Sequence, residues 1–197
     1  MKTKRDSTIK PVLRLGLERW ASPVSTLLIV TDESGVLRAL EFAEYEERMH
    51  RLLRRHFGNY LIEEAKAPES IIRALQAYFD GDLDAFNQVK TATNGTQFQR
   101  EVWRALRTIP AGTTISYGEL ASKIGRAGSS RAVGAANGAN PIPIVVPCHR
   151  VIGANGGLTG YGGGLKNKKW LLEHEEKAER RMRNAKPGSS ARFGILA

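Results

Sequence analysis

Cysteine is almost missing: Cys148 stands alone among 197 residues. A single thiol excludes an internal disulfide and any multi-cysteine zinc site. It also suits a reducing compartment better than an oxidising one. No run of 18 apolar residues occurs, so no stretch reads as a membrane-spanning helix. Met1–Lys10 is charged and lacks the apolar centre of a signal peptide, which makes the cytoplasm the expected compartment. Internal repeats are lacking as well. Acidic residues are in deficit, 20 against 30 lysines and arginines, for a formal net charge of +10. That imbalance favours a polyanionic partner, nucleic acid first, with plain solubility as the bland alternative. A core is not lacking: 41% hydrophobic residues suffice for a globular chain of one or two small domains.

Punctuation divides the chain. Residues 1–10 read as a loose arm, 11–88 as a scaffold domain, 89–176 as a second domain dense in motifs, and 177–197 as a basic, flexible tail. Gln88–Gly95 is apolar-poor and turn-rich and reads as a linker. In the first domain, Thr26–Val30 and Val36–Phe42 flank a Gly35-containing turn and predict a hairpin. Tyr45–Phe57 and Pro68–Asp80 carry apolar residues at helical spacing, the latter stopped by Gly81. His50 and His56 fall on different helix faces, against a shared metal. The expected class is α+β, with a β-sheet and helices first and a helical domain second.

The second domain opens with two capping boxes, Thr96…Gln99 and Ser116…Glu119. The first starts a helix that Pro110 ends. The second starts a short helix, followed by the turn Gly125–Gly128. Ser129 or Ser130 then caps a third helix running to about Ala139. Helix, glycine turn, helix in a basic protein matches a helix-turn-helix, or else an ordinary helical hairpin. The third helix carries one long side chain, Arg131, among Ala132, Val133, Gly134, Ala135 and Ala136. Major-groove reading needs several long polar side chains. A thin helix suits close approach to the minor groove instead, or tight helix packing. A single arginine on a smooth helix fits a finger that fills the space left by a flipped nucleotide.

Cys148 follows Pro147 and precedes His149 and Arg150. Neighbouring cations lower a thiol pKa, and both His149 and Arg150 qualify; the alternative is an inert buried thiol. In a flat strand His149 would face away from Cys148, so either the segment turns here or a water relays the proton. Two glycine-rich loops, Gly153–Gly157 and Gly160–Gly164, allow close backbone approach to a ligand, but no Gly-Lys-Ser/Thr follows and neither is a P-loop. Lys166–Glu176 reads as a helix. Trp20, Trp103 and Trp170 are assigned to the core.

Taken in order, Gly95–Gln99, Val102-Trp103, Ile109-Pro110, Ser116-Tyr117, Arg131–Gly134, Asn140-Pro141, Pro147–Val151, Gly160-Tyr161 and Leu171…Glu175 resemble the O6-alkylguanine-DNA alkyltransferases, most closely the constitutive bacterial type. The first domain resembles that family's RNase H-like N-terminal domain only loosely. The resemblance implies a single-use DNA repair transferase, monomeric and able to self-associate on DNA, that needs no cofactor and no metal. Its partner is duplex DNA bearing O6-alkylguanine, with O4-alkylthymine as a second substrate. Cys148 is implied as nucleophile, His149 as its base through water, and Glu175 as the group orienting the imidazole. Tyr117 is implied to press the phosphate backbone and donate its hydroxyl to the base. Asn140 braces the turn before Cys148. Ser129, Ser130, Arg131, Ala132, Gly134, Ala135 and Tyr117 form the implied DNA face. Pro147, Val151, Tyr161, Gly162 and Gly163 wall the pocket.

Some relatives carry an N-terminal structural zinc, and inducible ones a four-cysteine regulatory domain. With one cysteine neither is expected here, nor a regulatory role. Gly162 replaces a serine found in many relatives, and the vacated space is expected to admit larger alkyl groups. The rivals are an alkyltransferase-like protein that binds lesions without repair, a sequence-specific regulator and a Cys-His hydrolase. Cys148 argues against the first, short side chains on the third helix against the second, and adjacency of Cys148 and His149 against the third.

Overall fold

The computed structural model describes residues 12–185. Its sheet is built from β1 (Leu13–Ala21), β2 (Thr26–Asp32), β3 (Leu37–Phe42) and β4 (Tyr60–Glu64), in the order β3-β2-β1-β4. The first three run antiparallel to their neighbours, and β4 pairs parallel with β1. The expected hairpin is β2–β3. Asp32 accepts from the Ser34 and Val36 amides, and Gly35 takes φ 73°, which closes the turn. β2 is almost continuously apolar because both sheet faces are covered. Leu28 and Val30 face Met49 and Leu53 of α1 (Glu46–Phe57), whereas Leu27 and Ile29 join the main core.

β1 and β4 were not legible as strands. β1 does alternate (Leu13, Leu15, Leu17), but leucine carries little strand propensity, and β4 is a short, mostly exposed edge. Helix α2 (Glu69–Asp80) begins after Pro68 and ends at Gly81, which is left-handed.

The second half holds α3 (Gln97–Leu106), β5 (Ile115–Ser116), α4 (Tyr117–Lys123), α5 (Ser130–Gly138), β6 (Val151–Ile152) and α6 (Leu165–Ala185). Both capping boxes form with both reciprocal bonds. Ser129 occupies the N-cap position of α5 but makes no side-chain cap bond. One hydrophobic cluster joins the halves: Phe42 and Leu75 from the first, with Val102, Trp103, Val133 and Leu171 from the second. The segment read as a linker is not loose. It runs along β3, where Leu37 bonds Lys90 and Ala92 through the backbone. Of the three tryptophans, Trp103 is fully in the core, its Nε1 donating to the Ala136 carbonyl (2.9 Å). Trp20 and Trp170 are half-buried around Phe79.

α6 continues to Ala185, well past Glu176, so residues 177–185 are helical and not a frayed tail. The physical reason is contact. Ala178 is buried beside Gly81, and Glu176–Arg180 and Glu179–Arg183 pair at i,i+4 spacing. The arm assigned to residues 1–10 and the tail from 186 onward lie outside the described residues.

Candidate active site

Three devices bring the thiol to its place. α5 ends at Gly138, and the chain from Asn140 to Arg150 is buried throughout. Ile144 sits at φ 71°, a strained conformation for a β-branched residue, fixed by its complete burial. Pro147 (φ −79°, ψ 64°) then makes an inverse γ-turn, in which the Cys148 amide bonds the Val146 carbonyl (2.7 Å). Cys148–Arg150 follow as a single 3-10 turn. The segment therefore turns, and the strand geometry that would have opposed Cys148 to His149 does not arise.

Asn140 is the brace. Its Nδ2 donates to the Val146 carbonyl (2.8 Å) and to Cys148 Sγ (3.0 Å), while its Oδ1 accepts the Ile142 amide (3.0 Å). A donor on sulfur favours the thiolate. From one turn earlier, Asn137 Nδ2 reaches the Cys148 carbonyl (3.3 Å).

A saturated carboxylate stands behind His149. Glu175 Oε1 accepts from His149 Nε2 (2.8 Å), Tyr78 Oη (2.9 Å) and Arg150 Nη2 (2.8 Å), and Oε2 accepts from Arg150 Nε (2.9 Å) and the Gly112 amide (3.2 Å). Burial alone would raise this carboxyl, but His149 and Arg150 outweigh burial and hold it well below the usual carboxylate range. It is thus ionised, and His149 Nε2 must carry the proton it donates. Burial pushes the imidazole pKa down, helped by the charges of Arg150 and Lys168 and opposed by Glu175. The result is a neutral His149 whose Nδ1 lone pair is buried and unpartnered. That is the protonation state a general base requires.

The thiol itself is pushed up to about 11 by burial, with the Glu41 charge acting in the same direction and Asn140, Arg48 and Lys168 opposing. Arg150, expected to activate it, is committed to Glu175 and to the Ile109 carbonyl (2.6 Å). The cations that act on Cys148 are Arg48, from α1, and Lys168, from α6. Lys168 is fully buried and clamps the pocket wall by donating to the Val151 (2.6 Å) and Thr159 (3.0 Å) carbonyls.

Arg131, Ala132, Ala135 and Ser130 are exposed on α5, with Ser129 and Gly134 half-buried; Val133, Ala136 and Asn137 turn inward. Tyr117 opens α4 beside Gly134, and its hydroxyl donates to the Thr159 and Gly160 carbonyls (3.2 Å each). Val151 is buried, and the Tyr161 ring meets Phe42 edge to face (6.4 Å) with its buried hydroxyl unpartnered. Gly163 admits no Cβ, since Phe42 and Tyr161 occupy that space. Gly162 corrects an expectation. Its vacated volume is not free for a larger alkyl group, because a Cβ there would overlap the Arg48 guanidinium. Among the described residues no cluster of three or more His, Cys, Asp or Glu is placed to hold a metal, and no helix is long and apolar enough to cross a membrane.

Tyr78, Asn137, Lys168 and Arg48 were not singled out from sequence. Only Asn137 left a signal, a lone amide on the inward face of a helix of small residues. Four buried side-chain polar atoms lack partners among the described residues, and three of them belong to His149 (Nδ1), Asn137 (Oδ1) and Tyr161 (Oη), residues of the Cys148 neighbourhood. Native proteins leave few such groups, and each calls for a bound water, an ion or a catalytic role.

Comparison with known proteins agrees with this geometry. Residues 97–177 match the 6-O-methylguanine DNA methyltransferase DNA-binding domain, and residues 18–93 that family's ribonuclease-like domain. A methylated-DNA–protein-cysteine methyltransferase of Salmonella typhimurium is 53% identical over 83% of this chain and 97% of its own. One from Methanosarcina acetivorans is 46% identical over 78% and 94%. The Mycobacterium tuberculosis OGT solved in complex with DNA superposes with a TM-score of 0.68 at 43% identity, covering 84% of this chain and 94% of its own. With both halves matched and relatives alike along nearly their whole length, the chain belongs to the 6-O-methylguanine DNA methyltransferase family.

Proposed function

We propose that this protein repairs DNA directly, moving the alkyl group of O6-alkylguanine in a duplex onto Cys148, one group per molecule. The reading is carried by the sole thiol, held by Asn140 and followed by a buried His149–Glu175 pair, beside a smooth helix with one exposed arginine. The net charge of +10 and the DNA-binding family match support the partner.

α5 enters the minor groove, where its small exposed side chains let the backbone come close. The damaged guanosine rotates out, and Arg131 fills the stack behind it. The Cys148 proton passes through a water to His149 Nδ1, and Glu175 holds the resulting imidazolium in place. Sulfur attacks the alkyl carbon in line with the carbon–oxygen bond. That bond breaks, its electron pair stays with the base, and the Tyr117 hydroxyl donates toward the charge that develops. The thioether left on Cys148 offers water only a saturated carbon and a poor leaving group, so the protein is spent. An alkyltransferase-like binder would have no use for a nucleophile with a base and an orienting carboxylate behind it.

Arg131→Ala separates flipping from chemistry. Transfer from an O6-methylguanine duplex should fall about tenfold or more, since flipping costs a few kcal/mol. Transfer from free O6-benzylguanine, which needs no flipping, should stay at the wild-type rate and stop at one group per molecule. Equal losses on both substrates would assign Arg131 to the fold and not to the extrusion step.

A further inference from the structure

Arg48 lies in the first half of the chain, on the helix that covers the far face of the sheet, yet its side chain ends at the active site. Nη1 pairs with the buried carboxylate of Glu41. Nη2 donates to the Gly138 (2.7 Å) and Asn140 (3.0 Å) carbonyls, at the end of α5 and the start of the loop that carries Cys148. The side chain is 11% exposed. Nε makes no hydrogen bond among the described residues. A Cβ built on Gly162 would overlap Nε, Cζ and Nη2 together. The guanidinium therefore fills the place of a side chain at 162, next to Tyr161 and its unpartnered hydroxyl. It is also near enough to Cys148 for its charge to favour the thiolate, against the opposing charge of Glu41.

We propose that Arg48 acts on the alkylated base itself: its Nε–H donates to the oxygen that bears the alkyl group, and its fixed charge stabilises the negative charge that oxygen gains as the bond to carbon breaks. The assignment rests on the transfer reading above. The balance is simple. A sulfur–carbon bond forms, the carbon–oxygen bond breaks, and the electron pair remains on the base. Arg48 gives up no proton, since a guanidinium is not deprotonated in proteins. Its contribution is electrostatic and preorganised, because Glu41 and two backbone carbonyls already hold the group and little must move during the reaction. Gly162 then has a reason: any side chain there displaces the donor. Arg48 would thus be a catalytic residue supplied by the scaffold half to the chemistry of the other half.

The test uses the full chain and a series of free O6-benzylated purines that differ in leaving-group acidity, together with an O6-methylguanine duplex. Arg48→Gln should lower the maximal transfer rate about 10²- to 10³-fold, the range seen when one preorganised donor is lost. Lesion affinity, measured with Cys148→Ala in both backgrounds, should change less than about threefold. The plot of log rate against leaving-group pKa should steepen, because better leaving bases need less help. Arg48→Lys, which keeps the charge but loses the Nε–H, should steepen the slope less than glutamine does, and Gly162→Ser decides the matter if the glutamine variant unfolds. Gly162→Ser, which pushes the guanidinium aside, should steepen the slope as well. An unchanged slope with an unchanged rate, or a loss confined to affinity or thermal stability, overturns the role of Arg48 while leaving transfer to Cys148 intact. Failure of the wild-type protein to transfer at all would instead remove the reading beneath it.

Discussion

Replacing Glu175 with glutamine is expected to cost about 3–5 kcal/mol of stability, the usual result of leaving one member of a buried ion pair unmatched. The shape of the side chain survives, but Arg150 is nearly buried and pairs with no other anion among the described residues. For a chain of this size the loss lowers the melting temperature on the order of 10 °C. Tyr78 and His149 must both donate to a neutral amide oxygen in place of a carboxylate, so the effect spans α2, the 3-10 turn and α6. The pH dependence carries the same signature. The Glu175 carboxyl is depressed in the folded protein. Its contribution is therefore complete above the unfolded value of about 4.3 and is lost as pH falls below it toward the folded value. The His149 pKa is lowered on folding, so its neutral form binds fewer protons than the unfolded chain, and stability declines as pH drops below about 6.5. Thermal melts across pH 3–8 should show two successive losses in the wild-type protein, and the lower one should shrink in Glu175→Gln. A variant that melts within a degree or two of wild type at pH 7 would mean that the carboxylate is not the hub of the network.

The second large effect is kinetic. His149→Gln keeps a donor for Glu175 but offers no basic nitrogen to the thiol proton. With the thiol pushed up to about 11 by burial, very little thiolate exists at neutral pH without that base. The alkyl-transfer rate should fall about 10²- to 10⁴-fold, the ordinary contribution of a positioned general base. Lesion binding should persist, because His149 is buried, whereas Ser130, Arg131, Ala132 and Ala135 on the implied DNA face of α5 are exposed. Raising the pH should recover part of the loss as hydroxide takes over the task. Stopped-flow transfer at pH 7 and pH 9.5 decides it, and equal rates for variant and wild type at pH 7 would remove His149 from the proton path.

What the sequence disclosed follows from how local each signal is. The capping boxes at Thr96 and Ser116 are four-residue events, and both are present as read. The hairpin around Gly35 and the stop at Gly81 are equally local. Cys148 and its neighbours were conspicuous because Pro-Cys-His-Arg-Val is compact. Glu175 was different. Glu173, Glu175 and Glu176 look alike in one dimension, and only the resemblance separated them; burial of Glu175 against exposure of the other two is a tertiary fact. Tyr78 reaches Glu175 from 97 residues away, and Arg48 reaches Asn140 from 92. No spacing rule joins residues so distant, and each would pass for an ordinary helix residue. The role expected of Arg150 went astray for the same reason. Adjacency to a cysteine suggested a cation for the thiol, but a 3-10 turn aims adjacent side chains in different directions, and Arg150 points at Glu175. α6 outran its expected end because Ala178 and its neighbours are held by contacts that no helix-stop signal reports.

The central claim is that Cys148 takes the alkyl group and keeps it. Intact and peptide mass spectrometry after incubation with an O6-methylguanine duplex, with Cys148→Ala alongside, tests it most directly. The account predicts a gain of one methyl per molecule, located on the peptide containing Cys148, unchanged by longer incubation and absent from the variant. Tight binding of the lesion with no gain in mass, or a methyl found on any other residue, would contradict it.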